Sequence, residues 1–449
     1  MKKKVVILGG GPAGYSAAIR CAQLGAEVRV VEKENLGGVC LNHGCIPTKA
    51  LVKTAELAKE VKNAPDFGVE VDFKGIDWGK VFQRKNEVVK KLTGGIGFLF
   101  RHYGIEWIRE EGKLTREGVS VDGKIIPGDN IILATGSSPV LLPGVRGKRI
   151  LTHREALMIE KLPEKVVIIG GGVNGCEFAH IFASLGVEVT LVEMVERLLP
   201  GEDQEISRGV EKALRKQGVK IYTSCKASEI RESESAASCQ IGEEKWEGDY
   251  ILLCMGRKRN TEGFSEAGIE VSKEGVQVNE YLETSLPGVY AAGDILPTPQ
   301  LAHVAYREGK TAAENAMGER AEINYGAIPR VIFTSPEAAS VGMSEEELKS
   351  KGIPYSVERF PFTASGKALS EGDTEGWAKI LVHEESEEIL ALHIFSHNAG
   401  ELLGEGILAM NLEATPEDIA NSIHPHPTRS ESIQEVAELF LGEPLHFLK

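Results

Sequence analysis

Val5-Val6-Ile7-Leu8-Gly9-Gly10-Gly11-Pro12-Ala13-Gly14-Tyr15 is the stretch on which the architecture turns. Four consecutive apolar residues predict a buried strand, and Gly9-x-Gly11-x-x-Gly14 predicts the tight turn that follows it. Tyr15 to Leu24 keeps helical periodicity, and Gly25 closes it. Ala26-Glu27-Val28-Arg29-Val30-Val31-Glu32 then reads as a second strand ending on an acid, 18 residues after Gly14. Together these make one βαβ half of a dinucleotide-binding fold. The glycines let the backbone approach a pyrophosphate, which rests on a helix N-terminus where free N–H groups and the dipole favour negative charge. The strand-end carboxylate, Glu32, is suited to ribose hydroxyls.

The same unit recurs. Val166-Val167-Ile168-Ile169 leads into Gly170-x-Gly172-x-x-Gly175, a helix runs to Leu185, Gly186 closes it, and Val187 to Glu193 forms a strand ending on an acid, again 18 residues after the last glycine. One such motif is a weak signal. Two, each with flanking strands, helix and acid, predict two dinucleotide sites. Ile131 to Ser137 is an apolar strand breaking at Gly136; Tyr250 to Arg257 is a near-copy after the second repeat, and Val289 to Ile295 is a third strand, ending in Gly293-Asp294. From about Pro329 the glycine turns thin out. Charged helices (Ser344 to Lys351, Thr415 to Ser422, Ser430 to Leu441) mix with strand-like runs such as Lys379 to Val382, so the last part reads as an α+β domain and an oligomer interface. Ser233 to Ser238 reads as an exposed turn.

The bulk properties set limits. A chain of 449 residues is too long for one ordinary core, and two to four domains are expected. With 42% hydrophobic and 26% charged residues it has the composition of a soluble globular protein. A formal net charge of -15 argues against nucleic acid or an anionic membrane as partner. No apolar run reaches membrane-spanning length, and the Lys-rich start meets Gly9 without a signal-peptide cleavage pattern. Seven cysteines do not make a secreted disulfide framework, so a cytoplasmic setting is expected. Cys21, Cys176, Cys225, Cys239 and Cys254 read as scattered, partly buried small residues.

Cys40-Leu41-Asn42-His43-Gly44-Cys45-Ile46-Pro47-Thr48-Lys49 is different. Residues five apart on an ideal helix lie roughly 8.6 Å apart at Cα, whereas a disulfide needs about 4.4–6.8 Å. The two thiols can therefore pair only if the helix start is distorted. Gly37, Gly38 and Gly44 allow that, and Pro47 suits the first turn of the helix that follows. A thiol at a helix N-terminus is acidified, and Lys49, one turn after Cys45, adds positive charge. A redox disulfide is the favoured reading. The alternatives are a metal site, for which His43 alone is too few extra ligands, and two inert thiols. No metal is expected. Near the C-terminus, Ser422-Ile423-His424-Pro425-His426-Pro427-Thr428-Arg429-Ser430-Glu431 places an acid five residues after a histidine stiffened by prolines, which is base-plus-orienter chemistry; a surface loop with histidines is the plainer reading.

Taken together these residues resemble the flavoprotein pyridine nucleotide-disulfide oxidoreductases, on the branch that oxidises dihydrolipoyl groups. The resemblance covers essentially the whole chain. Its markers are Gly9 to Gly14 with Glu32, Cys40 to Lys49, Ala134-Thr135-Gly136, Gly170 to Gly175 with Glu193, Gly256-Arg257, Gly293-Asp294, Leu301-Ala302-His303, Thr334 to Glu337 and His424 to Thr428. The resemblance implies an α/β protein of two Rossmann-like domains, one for FAD and one for NAD, with a C-terminal α+β dimerisation domain. The expected boundaries are 1–145 for the first part of the FAD domain, 146–275 for the NAD domain, 276–325 for a central FAD segment and 326–449 for the interface domain. Cys45 would lie against the flavin and Cys40 would exchange with substrate. Lys49 would sit near the flavin, paired with Glu177. Gly9, Gly11, Gly14, Glu32, Lys49, Gly112 (at adenine), Thr135, Gly136, Asp294 and the backbone around Ala302 and His303 would bind FAD. Gly170, Gly172, Gly175, Glu193 and Gly256 would bind NAD. His426, held by Glu431, would act as base across a homodimer interface.

The function so implied is oxidation of protein-bound dihydrolipoamide with NAD as final acceptor, in a 2-oxoacid dehydrogenase or glycine-cleavage complex. The alternative is a related reductase acting on another disulfide. Glu193 would repel a 2′-phosphate and favours NAD over NADP, although Arg197 is nearby and able to bind phosphate. Three departures stand out: Val39 where threonine is common, the Arg257-Lys258-Arg259-Asn260 segment with arginine where proline is usual, and a slightly short loop from Thr261 to Gly268. The tail Glu443 to Lys449 lacks a vicinal cysteine pair, which argues against the mercuric reductase and large thioredoxin reductase branches.

Overall fold

The computed structural model describes residues 2–145 and 147–448; Met1, Arg146 and Lys449, which stand at three of the expected domain ends, lie outside the described residues. The first apolar run forms strand Lys4–Leu8, buried from Val5 onward. It is central in a five-stranded parallel sheet ordered Val289–Ala291, Asn130–Leu133, Lys4–Leu8, Glu27–Val31, Glu106–Ile108. Strands buried on both faces need no polar alternation, which is why they read as continuous apolar runs. The strand Val289–Ala291 follows the second repeat in sequence yet completes the first sheet.

The second repeat builds a matching parallel sheet, ordered Lys220–Tyr222, Glu188–Val192, Lys165–Ile169, Tyr250–Leu253, Ile150–Leu151. The two units share their register: Val5 pairs with Val28, and Val166 with Val189. An antiparallel pair, Ser137–Pro139 with Arg257–Arg259, ties one unit to the other. The third layer is an antiparallel sheet ordered Arg330–Ile332, Glu337–Gly342, Ile389–Ser396, Trp377–His383, Tyr355–Pro361. Helices Ala399–Asn411 and Glu431–Leu441 pack on it around Leu403, Ile433 and Val436.

Two further elements shape the site. Cys45–Asn63 and Trp78–Tyr103 are long helices packed side by side. The second starts at Asp77, whose side chain accepts the Lys80 N–H, and ends at Gly104 in the left-handed region. Three-stranded meanders at Gly112–Ile126 and Ala227–Gly248 flank the two sheets. In the second meander the turn is shorter than the sequence suggested: Ala237 and Ser238 already belong to the next strand, and Ala237 is buried against the sheet core. Among the described residues no helix is long and apolar enough to cross a membrane.

A buried ion cluster fastens the second unit to the third. Lys379 Nζ lies 2.8 Å from Asp203, 3.1 Å from Glu345 and 3.4 Å from Glu205. Lys379 and Asp203 are almost wholly buried. Removing one partner of such a group strands the remaining charge and costs about 3–5 kcal/mol. Lys379→Met is therefore expected to lower the urea midpoint clearly, and Lys379→Met with Asp203→Leu to recover part of the loss; an unchanged midpoint in the single variant would show that the cluster carries no such weight.

Candidate active site

Each glycine motif ends its strand and opens a helix with no side chain over its N-terminus. Helix Pro12–Gln23 starts at Gly11, and helix Val173–Ser184 at Gly172, neither cap making a side-chain hydrogen bond. Pro12 carries no N–H, so the uncapped donors are those of Ala13 and Gly14 in the first helix and of the first turn in the second, left for an anion. Gly9 and Gly170 are left-handed (φ 109° and 110°), and a Cβ on either would overlap a carbonyl, that of Ala134 or of Cys254. Gly14 and Gly175 pack against Gly9 and Gly170, whereas Gly172 faces open space. These are cradles whose shape and free donors fit a pyrophosphate, so the residues present suit FAD in the first unit and NAD in the second. Glu32 accepts the Gly10 N–H at 2.8 Å, and Glu193 accepts the Gly171 N–H at 2.6 Å, so each strand-end acid leans over its own glycine turn.

The other positions expected at the nucleotides fall around these turns. Gly112 packs against Leu8 and Val31, where a Cβ would not fit. Thr135 donates to the Asn260 carbonyl at 2.6 Å, and Gly136 and Gly256 both have positive φ. Asp294 accepts a short hydrogen bond from Ser137, whose hydroxyl also receives Arg257 Nε at 2.6 Å. Ala302 opens helix Ala302–Ala316 with no side-chain cap, and His303 lies at 2.9 Å from the Pro329 carbonyl. Arg197 is not free for a phosphate. Its guanidinium holds Glu346 at 3.0 Å and the carbonyls of Pro200 and Glu202.

The thiols sit where the helix breaks. A short helix, Gly38–His43, is interrupted at Gly44 (φ -145°, ψ -114°), and Cys45 begins the next. The break brings the two sulfurs into hydrogen-bonding contact and supplies the distortion that five-residue spacing requires. The contact makes them unequal. The hydrogen bond from Cys40, with Lys49 beside it, lowers Cys45 to about 7, and that same bond raises Cys40 well above the ordinary thiol range.

Lys49 Nζ is 2.9 Å from both oxygens of Glu177, which is buried in the helix that opens the second cradle. Glu177 also accepts the Phe333 N–H at 3.2 Å, and the Lys49 ammonium lies 4.3 Å from the Phe333 ring centre. His426 and Glu431 are apart from the thiols in this chain. His426 Nδ1 meets Glu431 at 2.7 Å, its side chain is 76% exposed, and among the described residues nothing bonds Nε2. Glu431 is partly buried, which opposes ionisation, but the Thr428 N–H and the imidazole hold it below the usual carboxylate range.

Sequence reading missed several residues. Tyr15 and Tyr306 lie side by side near the thiols, their rings tilted and their centres 5.7 Å apart. Glu308 is fully buried, accepts from Gly293 N–H, Thr298 and Tyr325, and is pushed up to about 7 by burial. Tyr15 directly follows the last motif glycine, a signal that was available; Tyr306 and Glu308 arrive by packing alone.

A pair of nucleotide cradles flanking an acidified dithiol defines a dinucleotide-dependent dithiol–disulfide oxidoreductase, and the chain belongs to the pyridine nucleotide-disulphide oxidoreductase family: residues 3–309 match that family's model and 328–437 match its dimerisation domain. Among curated relatives, a dihydrolipoyl dehydrogenase of Geobacillus stearothermophilus is 39% identical across 100% of this chain and 98% of that protein. Another, of Chlamydia pneumoniae, is 40% identical over 98% of both. Among solved structures, LpdA from Mycobacterium tuberculosis superposes with a TM-score of 0.91 at 26% identity, covering 98% of this chain and 99% of that one. The flavoprotein disulfide reductase RclA from Escherichia coli gives 0.87 at 27%, covering 97% and 99%. The cofactors of the chain are FAD and NAD.

In the reduced enzyme one thiol is expected to ionise near pH 7, seen as ultraviolet thiolate absorbance. Lys49→Met removes the nearby positive charge and is expected to move that midpoint upward; an unmoved midpoint would remove Lys49 from the account. Arg197→Ala is expected to leave the preference for NADH over NADPH intact, and a gain or loss of NADPH use would show that Arg197 reads the ribose.

Proposed function

We propose that this chain oxidises dihydrolipoyl groups carried on protein, with NAD as final acceptor. It works as a cytoplasmic homodimer serving a 2-oxoacid dehydrogenase or glycine-cleavage assembly. The observation that carries the reading is the Cys40–Cys45 pair at the broken helix start, bound through Lys49 and Glu177 to the second cradle. The relatives' name supports the substrate, the dimerisation match supports the homodimer, and the scattered cysteines, all free, suit a reducing compartment.

His426, oriented by Glu431, takes a proton from the substrate dithiol at Nε2 across the dimer interface. The substrate thiolate attacks Cys40 Sγ, a substrate–Cys40 bond forms, the Cys40–Cys45 bond breaks, and Cys45 leaves as thiolate. A leaving thiol of low pKa departs faster, which suits the acidified Cys45 to that place. The second substrate thiol then loses its proton in turn and attacks the substrate sulfur of the mixed disulfide; the substrate S–S bond forms, the substrate–Cys40 bond breaks with its electron pair staying on Cys40 Sγ, and the oxidised lipoyl disulfide is released. FAD, when bound, would supply a two-electron acceptor beside the reduced thiol pair, and NAD would supply the final hydride acceptor. Gly9, Gly11, Gly14, Glu32, Gly112, Thr135, Gly136, Asp294 and the helix start at Ala302 and His303 hold the first nucleotide; Gly170, Gly172, Gly175, Glu193 and Gly256 hold the second. Lys49 keeps positive charge beside Cys45.

A reductase acting on another disulfide is the second reading, favoured by the likeness to RclA. The two separate in one assay, dihydrolipoamide with NAD run beside NADPH with glutathione disulfide. Fast NADH formation in the first alone is the expected result. Silence there, with FAD bound and the disulfide reducible by NADH, would transfer the reading to another disulfide.

Cys45→Ser is expected to abolish dithiol turnover while FAD stays bound. His426→Ala is expected to slow the thiol half-reaction by roughly 10²–10⁴-fold, with NADH-to-dye transfer largely kept; equal loss in both reactions would sink the base assignment.

A further inference from the structure

One cluster beside the thiols has no part in the chemistry above. Helices Pro12–Gln23 and Ala302–Ala316 cross in close contact: a Cβ on Gly309 would overlap the Ala13 carbonyl, and the Ser16 hydroxyl reaches the Ala13, Pro12 and Tyr306 carbonyls. This crossing fixes Tyr15 and Tyr306 next to each other, with rings tilted at 56°. Neither ring is fully buried. The Tyr306 hydroxyl lies near that of Tyr15 and near the Cys40 thiol, close enough for each to act on the other's ionisation. Burial and the neighbouring thiols raise both phenols, so both keep their protons across the working pH range. A phenol that keeps its proton is a donor wherever an anion forms beside it.

We propose that the Tyr306 hydroxyl is the donor that stabilises the Cys40 sulfur as it leaves the substrate mixed disulfide, with Tyr15 holding Tyr306 in position. In that step the substrate's second thiolate forms the substrate S–S bond, the substrate–Cys40 bond breaks, and its electron pair stays on Cys40 Sγ. The Tyr306 O–H turns from Tyr15 to that sulfur and remains protonated. Cys45 has its own helix N-terminus and Lys49; Cys40 shares the Lys49 charge, and the hydroxyl beside it is that of Tyr306. The inference rests on the assignment of Cys40 as the thiol that meets substrate.

The test isolates Cys40. In the Cys45→Ser holoenzyme Cys40 is the one active-site thiol, and its alkylation by iodoacetamide across pH, read by peptide mapping, reports its ionisation without any lipoyl substrate. The other groups facing the pair are Lys49, Glu177, Arg257, Tyr15 and, on the same short helix, His43; all but Tyr15, which is itself replaced in one variant, are unchanged between the variants compared. Adding Tyr306→Phe is expected to move the alkylation midpoint up by about one pH unit, and Tyr15→Phe to move it less in the same direction. In the otherwise native enzyme, Tyr306→Phe is expected to slow reduction by dihydrolipoamide about tenfold, with FAD content unchanged. A midpoint unmoved by Tyr306→Phe in FAD-loaded protein would overturn the proposal. A moved midpoint in a protein that ignores dihydrolipoamide would uphold it and displace the lipoyl reading alone. Should Tyr306→Phe lose FAD, Tyr15→Phe carries the test, and no shift there would overturn the relay.

Discussion

The ion pair between Lys49 and Glu177 is the joint on which the site depends. Lys49 belongs to the helix that begins with a reactive thiol, Glu177 to the helix that opens the second nucleotide cradle, and the Phe333 N–H that completes the carboxylate comes from the third layer. A buried carboxylate is tolerated only when its oxygens are paired. Here the pairing needs one partner from the first unit and one from the third, so satisfying Glu177 fixes three parts of the chain against one another. The same ammonium, resting on the Phe333 ring, stands beside Cys45 and favours its thiolate.

The two thiols gain different characters from one backbone defect. Gly44 stops the short helix, and Cys45 receives the N-terminal end of the long one, with its free N–H groups and dipole. Cys40 stays on the preceding turn and is left to donate to its neighbour. Asymmetry of this kind gives a disulfide a direction: one sulfur is the better leaving group, the other the one that is attacked. The buried cluster around Lys379 serves a different end, holding the second unit to the antiparallel sheet.

Much of this was legible in the chain. The two glycine motifs are local: strand, turn, helix and acid lie within about thirty residues, so periodicity and spacing suffice. The five-residue spacing of Cys40 and Cys45, set among glycines, pointed to a broken helix start, and the spacing of His426 and Glu431 pointed to the contact they make. What was not legible depends on long-range packing. Nothing near Tyr306 in sequence announces a cysteine; the contact exists because Gly309 lets two helices touch. Arg197 looked available for a phosphate because its partners, Glu346 above all, come from another layer. The turn at 233–236 was read two residues too long because Ala237 is a small residue whose burial is decided by the sheet beneath it.

The central claim is that electrons enter through Cys40 and collect on Cys45. A single-turnover trap addresses it directly. Oxidised holoenzyme carrying Cys45→Ser cannot form the internal disulfide, so a lipoyl disulfide added to it has one thiol to meet. Peptide mapping of the trapped adduct is predicted to find the lipoyl sulfur on Cys40, and the mirror variant, Cys40→Ser, to form none. An adduct on Cys45 in the mirror variant, as fast as on Cys40 in the first, would contradict the account.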